Sequence, residues 1–478
     1  FRPCRPGRRK EQGTQVSAMS QTSPLRYPDT SSQKVMTTRA WWLVVLNFVL
    51  PGSVQALAGN KRLGKIGLGA TLVLIGFVLL TLLLGLLWPT AVFFLATWGP
   101  TLFVGQIALY AYAALWAVLT LDTLRLIRVV KTGPRARWWV ASVTVLAMFF
   151  ISGGAAYAAT LTGSLNNALG KIFVAGPSEP PVDGQYNFLL LGGDAGEDRQ
   201  GLRPDTAQVV SVNAETGAAT IIGMPRDLQS IPFNEDSPMY SLYPNGYTQE
   251  TGEYCTRWAC LNTVYAAAEI DHPDLYPNAA AEGSSPGIEA MRDAAEAITG
   301  LDIQYYVLID MQGLQNLIDS LGGVDITVDE RIAIAEPETP EEEVPEWIEV
   351  GPQHMDGYHA MMFMRSRWSG TGDYDRMKRQ QQVQEALLRQ MNPANVLSKF
   401  QEIAAAGTQV VKTDIPQSML GFFVDLGLKT KELPINHIEL TPYYEPFPVD
   451  TEFPDYPSIQ AYVNSVIHPP EPTETPAP

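Results

Sequence analysis

The stretch YNFLLLGGD at residues 186–194 decides the fold of the larger, C-terminal part of this chain. Its short apolar run ends in two glycines and an aspartate, which predicts a buried strand that leads into a loop. Further strand-like runs follow at 207–213 and 219–224, and Glu215-Thr216-Gly217 between them predicts a hairpin turn. Helix-like and strand-like segments then alternate at 287–298, 305–310, 313–321, 324–328 and 379–391. This alternation predicts an α/β domain built as a three-layer α-β-α sandwich.

The charge of the chain divides sharply near residue 171. Residues 1–171 contain 17 Lys and Arg against 3 Asp and Glu, whereas the remainder contains 16 basic and 47 acidic residues. An acidic domain repels nucleic acid, so nucleic acid is excluded as a partner of the C-terminal part. The first part is basic and apolar, which predicts contact with a lipid membrane.

Three stretches are long and apolar enough to cross a bilayer, at 67–88, 102–121 and 138–161. A fourth apolar stretch at 41–57 is interrupted by Pro51-Gly52, which favours a re-entrant or interfacial helix over a further span. Basic residues crowd the segments before the first and third spans, and such clusters stay in the cytoplasm. The last span would then exit outward, so we expect the acidic domain to be extracytoplasmic.

These features predict five segments. They are a disordered leader at 1–38, an all-α transmembrane region at 39–165, a linker at 166–185, the extracytoplasmic domain at 186–467 and a disordered tail at 468–478. The leader is expected to include translated upstream sequence, with Met19 or Met36 as the actual start. Cys255 and Cys260 bracket a short loop, and outside the cell a local disulfide is favoured over free thiols.

Arginine is concentrated in one part of the acidic domain. Five of its 16 basic residues fall between Arg365 and Arg379. The planar guanidinium binds phosphate oxygens bidentately, and carboxylates at strand ends suit Mg²⁺ or Mn²⁺, so the combination predicts a diphosphate substrate. Taken singly, each residue has a simpler interpretation as a turn, a helix cap or a surface ion pair. Taken together, these simpler interpretations would mean that an acidic domain has its arginines in one stretch by chance.

The order of motifs in this region resembles the LytR-CpsA-Psr family of cell-wall ligases. The resemblance runs from about residue 186 to about residue 426 and is carried by LLLGGD, RPDT, MPRD, SLGGVDITVDE, HMDGYHAMMFMRSR and DYDRMKRQQQVQ. The multi-span anchor resembles that of actinobacterial members. The resemblance implies a membrane-bound phosphotransferase that moves a glycopolymer from a polyprenyl diphosphate to peptidoglycan through a phosphodiester bond.

The resemblance also implies roles for individual residues. The Mg²⁺ (or Mn²⁺) ligands would be Asp205 and Asp227, with Asp194. Those expected to act in catalysis are Arg226, Asp227 and Asp373. The substrate-binding residues would be Arg203, Arg226, Asn262, Arg365, Arg367, Arg376, Arg379 and Gln380. The lipid tail would enter an apolar tunnel between the sheet and the helices.

Two departures from the family pattern stand out. The family commonly has Ser before Pro-Arg-Asp, where this chain has Gly223-Met224. The family's Asp-x-Gly-Arg becomes Asp373-Tyr374-Asp375-Arg376, and the added carboxylate at Asp375 bears on the role of Asp373.

The mechanism that follows is an in-line attack of the acceptor hydroxyl on the sugar-linked phosphorus, with Asp227 or Asp373 as the proton acceptor. Two alternatives are a polyprenyl-diphosphate phosphatase, which uses water, and a non-catalytic envelope receptor for lipid or glycan. A membrane-bound transcriptional attenuator is disfavoured by the acidic domain. The sequence does not fix the polymer, the acceptor position or the oligomeric state.

Overall fold

The computed structural model describes residues 25–174, 176–193, 204–248, 259–335, 339–368, 373–390 and 411–469. Its contacts divide the chain into two compact units. The first comprises Phe1–Leu83 and Gln106–Thr160, and the second comprises Leu84–Gly105 and Leu161–Pro478.

The N-terminal part is helical. Its helices are α1 (Gln33–Val49), α2 (Ser53–Ala58), α3 (Lys61–Leu87), α4 (Pro89–Thr97), α5 (Gly99–Ile127) and α6 (Pro134–Ile172). Within the described residues, three helices are long and apolar enough to cross a membrane: Lys61–Leu87, Gly99–Lys131 and Pro134–Ile172. These three helices suggest a membrane anchor. The stretch at 41–57 divides into α1 and α2 around Pro51-Gly52, and Gly52 adopts φ +96°.

The first unit packs through small residues and buried polar groups. A Cβ atom on Gly64 of α3 would lie 2.3 Å from the backbone nitrogen of Ala56 in α2, so only glycine allows the two helices to approach this closely. The Asn47 amide of α1 donates a hydrogen bond of 3.1 Å to the Thr120 hydroxyl of α5. Both groups are buried, so each satisfies a polar atom that water does not reach.

The second unit contains a central mixed sheet. Its strands and those of two small flanking sheets are β1 (Gln185–Gly193), β2 (Pro204–Asn213), β3 (Ala219–Met224), β4 (Tyr305–Asp310), β5 (Val324–Val328), β6 (Ile332–Ala333), β7 (Trp347–Ile348), β8 (Gly351–Met355), β9 (Val411–Thr413) and β10 (Asn436–Glu439). Among the described residues the order in the central sheet is β10-β3-β2-β1-β4-β9. Strands β1 and β4 are parallel, as are β3 and β10, and the other neighbours are antiparallel. The predicted strands at 219–224, 305–310 and 324–328 coincide with β3, β4 and β5, but β5 pairs with β8 outside the central sheet.

Helices cover both faces of this sheet. The helices of the second unit that follow β3 are α7 (Leu261–Ala266), α8 (Pro286–Thr299), α9 (Met311–Leu321), α10 (Gly357–Arg365), α11 (Asp373–Gln390), α12 (Leu420–Thr430) and α13 (Tyr456–Ile467). Of these, α9, α10 and α11 form a separate core with β5 and β8. Helices α7, α8 and α13 share one core with the face that presents Leu189, Val209 and Ile222. On the other face, Leu426 and Phe423 of α12 pack against Tyr186. The predicted three-layer α-β-α architecture is therefore confirmed.

The helix boundaries follow from local chemistry. The Asp310 carboxylate at the end of β4 accepts hydrogen bonds from the Gln312 and Gly313 backbone N–H groups and so starts α9. Gly322 ends the same helix at φ +95°, in the left-handed region that glycine enters without strain. Helix α11 begins at Asp373, six residues before the predicted start at 379, and so brings Arg376 and Gln380 onto one helix.

Candidate active site

The polar residues at the strand ends meet at one edge of the central sheet. Strands β1, β3, β4 and β10 end at this edge, and the antiparallel β2 begins there at Pro204. Asp205 therefore lies beside the end of β3, from which Met224 leads into Pro225-Arg226-Asp227. In sheets of this type, ligands bind outside the carboxyl ends of the strands.

A cavity of about 760 Å³ opens at this edge. Its walls are formed by Asp205, Arg226, Met311, Ala333, Ile334, Ala335, Tyr358, Met362, Arg365, Ser366, Arg367, Arg376 and Gln380. Six of these residues were predicted from the sequence. Four arginines thus face one cavity of a domain that is otherwise strongly acidic, which is the composition of a site for a multiply charged anion.

Asp205 organises two of the arginines. Its Oδ1 atom accepts a hydrogen bond from Nη1 of Arg226 at 3.0 Å. Its backbone carbonyl accepts one from Nη2 of Arg376 at 2.9 Å. Arg376 is 3% exposed, so its charge is presented to the cavity from a buried position. The geometry holds both guanidinium groups before any ligand binds, which lowers the entropic cost of binding one.

Gln380 lies one turn beyond Arg376 on α11. Its Oε1 atom accepts a hydrogen bond of 2.9 Å from the Thr206 hydroxyl of β2. Its Nε2 atom is buried and has no hydrogen-bond partner among the described residues. A buried donor without a partner costs about 1–3 kcal/mol, and a bound anion would supply the acceptor.

Arg365 and Arg367 flank the C-terminal end of α10. The Ser366 hydroxyl between them donates a hydrogen bond of 3.0 Å to the carbonyl of Ala333. The resemblance places Arg379 among the substrate-binding residues. In the structure, its guanidinium is hydrogen-bonded to this turn. Its Nε atom donates to the Phe363 carbonyl at 2.9 Å, and its Nη2 atom donates to the Ser366 carbonyl.

The position of Arg379 bears on its predicted substrate contact, which stays a prediction. Its side chain is 4% exposed and lies outside the cavity walls, and burial lowers the pKa of its guanidinium. The added carboxylate of Asp375 lines a separate surface cleft together with Arg379 and Lys378. Arg379 is therefore a positioning residue for the turn that carries Arg365 and Arg367.

Two predicted residues lie beside the cavity. The Asn262 backbone N–H donates a hydrogen bond of 3.1 Å to the carbonyl of Arg226, which fixes the start of α7 against the Pro-Arg-Asp loop. Asp227 follows Arg226 in this loop and is half-buried. Neither side chain is among the walls of the cavity.

The carboxylates that the structure describes at this edge are of the ligand type that a hard cation prefers. Asp205 and Asp227 both lie at the sheet edge that carries the arginines, and one Asp205 oxygen is held by Arg226. Mg²⁺ usually binds one or two carboxylates together with substrate phosphates and water. Within the described residues there is no group of three or more His, Cys, Asp or Glu that would hold a metal without such a substrate.

Several predicted residues lie outside the described part of the chain. They are Asp194, Arg203, Cys255 and the side chain of Asp373. Cys260 is disulfide-bonded, and its partner also lies outside the described residues.

Glu439 is a candidate that sequence reasoning missed. It ends β10 directly beside Gly223 of β3, and the Gln381 side-chain amide of α11 donates to it. Burial raises the pKa of the Glu439 carboxyl to about 7. The alternation of polar and apolar residues at 437–440 could have predicted the strand, but not its position beside β3.

The sequence matches a protein-family model and several known proteins. The LytR_cpsA_psr family model matches residues 174–446. Biofilm regulatory protein A of Streptococcus mutans is 27% identical over 48% of this chain and 50% of its own length. A polyisoprenyl-teichoic acid–peptidoglycan teichoic acid transferase, TagU of Enterococcus faecalis, is 26% identical over 48% of this chain and 61% of its own length. The chain thus spans about half to three-fifths of the length of these two relatives.

Solved structures are similar at lower identity. Bacillus subtilis TagV is 19% identical, with a TM-score of 0.40 over 60% of this chain and 98% of its own. A structure of TagT bound to LI-WTA gives 19% identity and a TM-score of 0.40 over 61% of this chain and 94% of its own. Since the family model covers more than half of the sequence, and the motifs that carry the resemblance supply most of the polar wall of one cavity, the chain belongs to the LytR-CpsA-Psr family.

Proposed function

We propose that this protein is a phosphotransferase that moves a glycopolymer from a polyprenyl-diphosphate carrier onto peptidoglycan. The observation that carries the proposal is the cavity in which Arg226, Arg365, Arg367 and Arg376 converge around a single described carboxylate. A diphosphate brings several negative charges, and four guanidinium groups at one site match that charge. The E. faecalis relative, which is named as a polyisoprenyl-teichoic acid–peptidoglycan teichoic acid transferase, supports the same reaction class.

In this mechanism the arginines hold the diphosphate and neutralise charge that develops on the departing oxygen. The acceptor hydroxyl attacks the sugar-linked phosphorus in line, a new P–O bond forms, and the bond to the bridging oxygen breaks to release polyprenyl phosphate. The hydroxyl proton passes to a carboxylate, for which Asp227 and Asp373 are the candidates. Arg376 and Gln380 are anchored on β2 through Asp205 and Thr206, so they act on the substrate without first reorganising.

A divalent cation fits this scheme. Asp205 and Asp227, with Asp194 as the predicted third ligand, would hold Mg²⁺ or Mn²⁺, which when bound neutralises diphosphate oxygens and favours the departure of the leaving group. The apolar tunnel for the lipid tail and the likeness of the anchor to actinobacterial members stay predictions.

We further propose that the domain lies outside the cytoplasm on a multi-pass anchor. Helix α4 connects the first two apolar helices and packs within the second unit, where Gln417 donates a hydrogen bond of 2.8 Å to the carbonyl of Thr97. A Cβ atom on Gly421 of α12 would lie 2.9 Å from Phe94 of α4, so this contact is close. A connection between two spans lies on the same side as the domain that it contacts. The basic residues in the first turns of α3 and around the junction of α5 and α6 favour the cytoplasm for the opposite ends.

The test uses the full-length protein in lipid nanodiscs. A synthetic polyprenyl-diphosphate glycan, Mg²⁺ and peptidoglycan fragments are incubated with the wild type, Arg226→Ala and Asp227→Ala. Phosphodiester-linked glycan on peptidoglycan, lost in both variants, is the expected result. Lipid cleavage without joining would identify a phosphatase, and binding without turnover would identify a receptor; either result overturns the proposal.

A further inference from the structure

Gln208 of β2 is buried and has no hydrogen-bond partner among the described residues. It is 1% exposed, and both Oε1 and Nε2 lack a partner in that part of the chain. Because both ends of the amide are affected, the observation holds in either orientation of the group. A buried polar group without a partner destabilises a folded protein, and folded proteins contain few of them. The amide is therefore a candidate for contact with a ligand.

The register of the sheet places this amide under helix α11. Gln208 lies opposite Gly223 of β3, and residues opposite each other in an antiparallel pair share one face. A Cβ atom on Gly223 would lie 3.2 Å from the terminal methyl group of Met377 in α11, so this face packs against that helix. Gln208 thus faces the helix that supplies Arg376 and Gln380 to the walls of the candidate active-site cavity.

A small void adjoins the active-site cavity, and Gln208 lines it. Four residues line both spaces and form the boundary between them: Asp205, Arg226, Arg376 and Gln380. Nε2 of Gln380 also lacks a partner among the described residues, so two amides whose donors are unpaired there line the same void. The void has no room for a water molecule, which excludes hydration of Gln208 while the boundary is closed.

One part of this boundary is an ion pair that solvent reaches. The Arg226 guanidinium donates to the Asp205 carboxylate at 3.0 Å, and the two side chains are 30% and 24% exposed. An anion in the cavity competes with Asp205 for this guanidinium, because a diphosphate presents more negative charge than one carboxylate. Separation of the pair removes a side chain from the boundary and opens the void toward the substrate.

We infer that Gln208 is a further substrate-binding residue: its Nε2 atom donates a hydrogen bond to a phosphoryl oxygen of the bound diphosphate, beside the donor of Gln380. The inference rests on the proposed function and adds a residue to its diphosphate site. A hydrogen bond to a charged oxygen is stronger than one between neutral groups. The unpaired amide destabilises the protein without ligand, and the diphosphate supplies the missing acceptor.

Replacing Gln208 by Met tests the inference through two readouts. Methionine has a similar length but carries no amide, so the variant no longer buries an unpaired polar group. In the full-length protein in nanodiscs, we expect the melting temperature to rise by roughly 2–12 °C. The affinity for inorganic pyrophosphate in the presence of Mg²⁺, measured by titration calorimetry, should fall by roughly tenfold to a hundredfold. A residue with a purely structural role would not make the protein more stable and the binding weaker in one substitution.

Ser211→Ala is the matched control. Ser211 lies on the same strand and is 2% exposed, and its hydroxyl also lacks a partner among the described residues. It lines neither the void nor the active-site cavity. Its replacement should therefore raise the melting temperature, as at Gln208, and leave the affinity for pyrophosphate unchanged.

Each outcome decides one hypothesis. If the wild type binds no pyrophosphate, the proposed diphosphate site and the inference fall together. If the wild type binds pyrophosphate and Gln208→Met binds it equally well, the inference alone is overturned. A lower melting temperature in Gln208→Met, or its failure to fold, would show that the amide has a partner within the domain and would also overturn it. So would an equal loss of affinity in Ser211→Ala, because the effect would then not depend on the void.

Discussion

Replacing Arg379 separates the two roles that sequence and structure give to this residue. The family resemblance implies that Arg379 binds substrate, whereas its guanidinium is bonded to the carbonyls of Phe363 and Ser366. Hydrogen bonds to charged groups contribute about 1.5–3 kcal/mol each. Arg379→Ala removes both, so the expected loss in the free energy of unfolding is about 3–6 kcal/mol. The contact with Glu330 adds little, because that carboxylate is 62% exposed and the atoms are 3.8 Å apart.

The assay is thermal unfolding of the full-length protein, combined with the affinity for a polyprenyl-diphosphate donor. For a domain of this size, each kcal/mol lowers the melting temperature by roughly 2–4 °C, so the expected fall is roughly 6–24 °C. Arg365→Ala is the matched control, because Arg365 is exposed and lines the cavity. Its stability should stay within about 0.5 kcal/mol of the wild type, while the donor affinity falls by roughly tenfold to a hundredfold.

The opposite pattern would refute this reasoning. If Arg379→Ala melts within about 2 °C of the wild type and still loses donor affinity as Arg365→Ala does, then Arg379 contacts the substrate directly. The positioning role assigned from the hydrogen bonds to α10 would then be wrong.

Three further perturbations test other parts of the structure. Gly223→Ser should destabilise the domain, because a Cβ atom at this position would lie 2.5 Å from Oε2 of Glu439. Adding Glu439→Ala should restore part of the lost free energy of unfolding. Denaturant unfolding of the single and double variants measures the interaction energy between the two positions. Burial raises the pKa of Glu439 and of Glu296 from 4.5 to about 7, so each folded carboxyl retains a proton that the unfolded chain has released. The stability that these groups contribute is therefore full below pH 4.5 and is lost as the pH rises through 7. Replacing both residues by Gln should flatten the dependence of the free energy of unfolding on pH, measured by unfolding curves from pH 4.5 to 8. An unchanged pH dependence would contradict the raised pKa values of these two carboxyls. Asp414→Asn should lower the free energy of unfolding by about 3–5 kcal/mol, because the buried guanidinium of Arg292 loses the nearer of its carboxylate partners and keeps Glu289 at 3.6 Å. A change below about 1 kcal/mol would show that the pair is screened by water.

The fold was predictable from sequence where burial imposes a pattern. Strand β1 is apolar because helices cover both faces of the sheet, and the runs at 219–224 and 305–310 share this cause. The grouping of Arg365, Arg367 and Arg376 at one cavity was predictable for a different reason. An acidic domain has few arginines, so their concentration indicated one anion site before any geometry was known.

Other features depend on contacts that are distant in the chain. The pattern of 324–328 predicts a strand but does not say that it pairs with 351–355 instead of joining the central sheet. Arg379 and Arg376 are three residues apart on one helix, and a list of motif residues treats them alike. Their different roles follow from the direction in which α11 turns each side chain, toward α10 or toward β2.

The departure at Gly223 shows how such a distant contact bears on a local motif. Where the family commonly has Ser, the missing side chain leaves a space above β3, and the Glu439 carboxylate of the neighbouring β10 occupies it. Glu439 also accepts a hydrogen bond from Gln381, the neighbour of Gln380 on α11. The glycine therefore does not leave a gap under the cavity, because a strand more than 200 residues later supplies the polar group that seats the helix carrying Arg376 and Gln380. From the motif alone, Gly223 lacks the polar side chain that Ser would supply. In the folded domain, the Glu439 carboxylate of β10 supplies a polar group in its place.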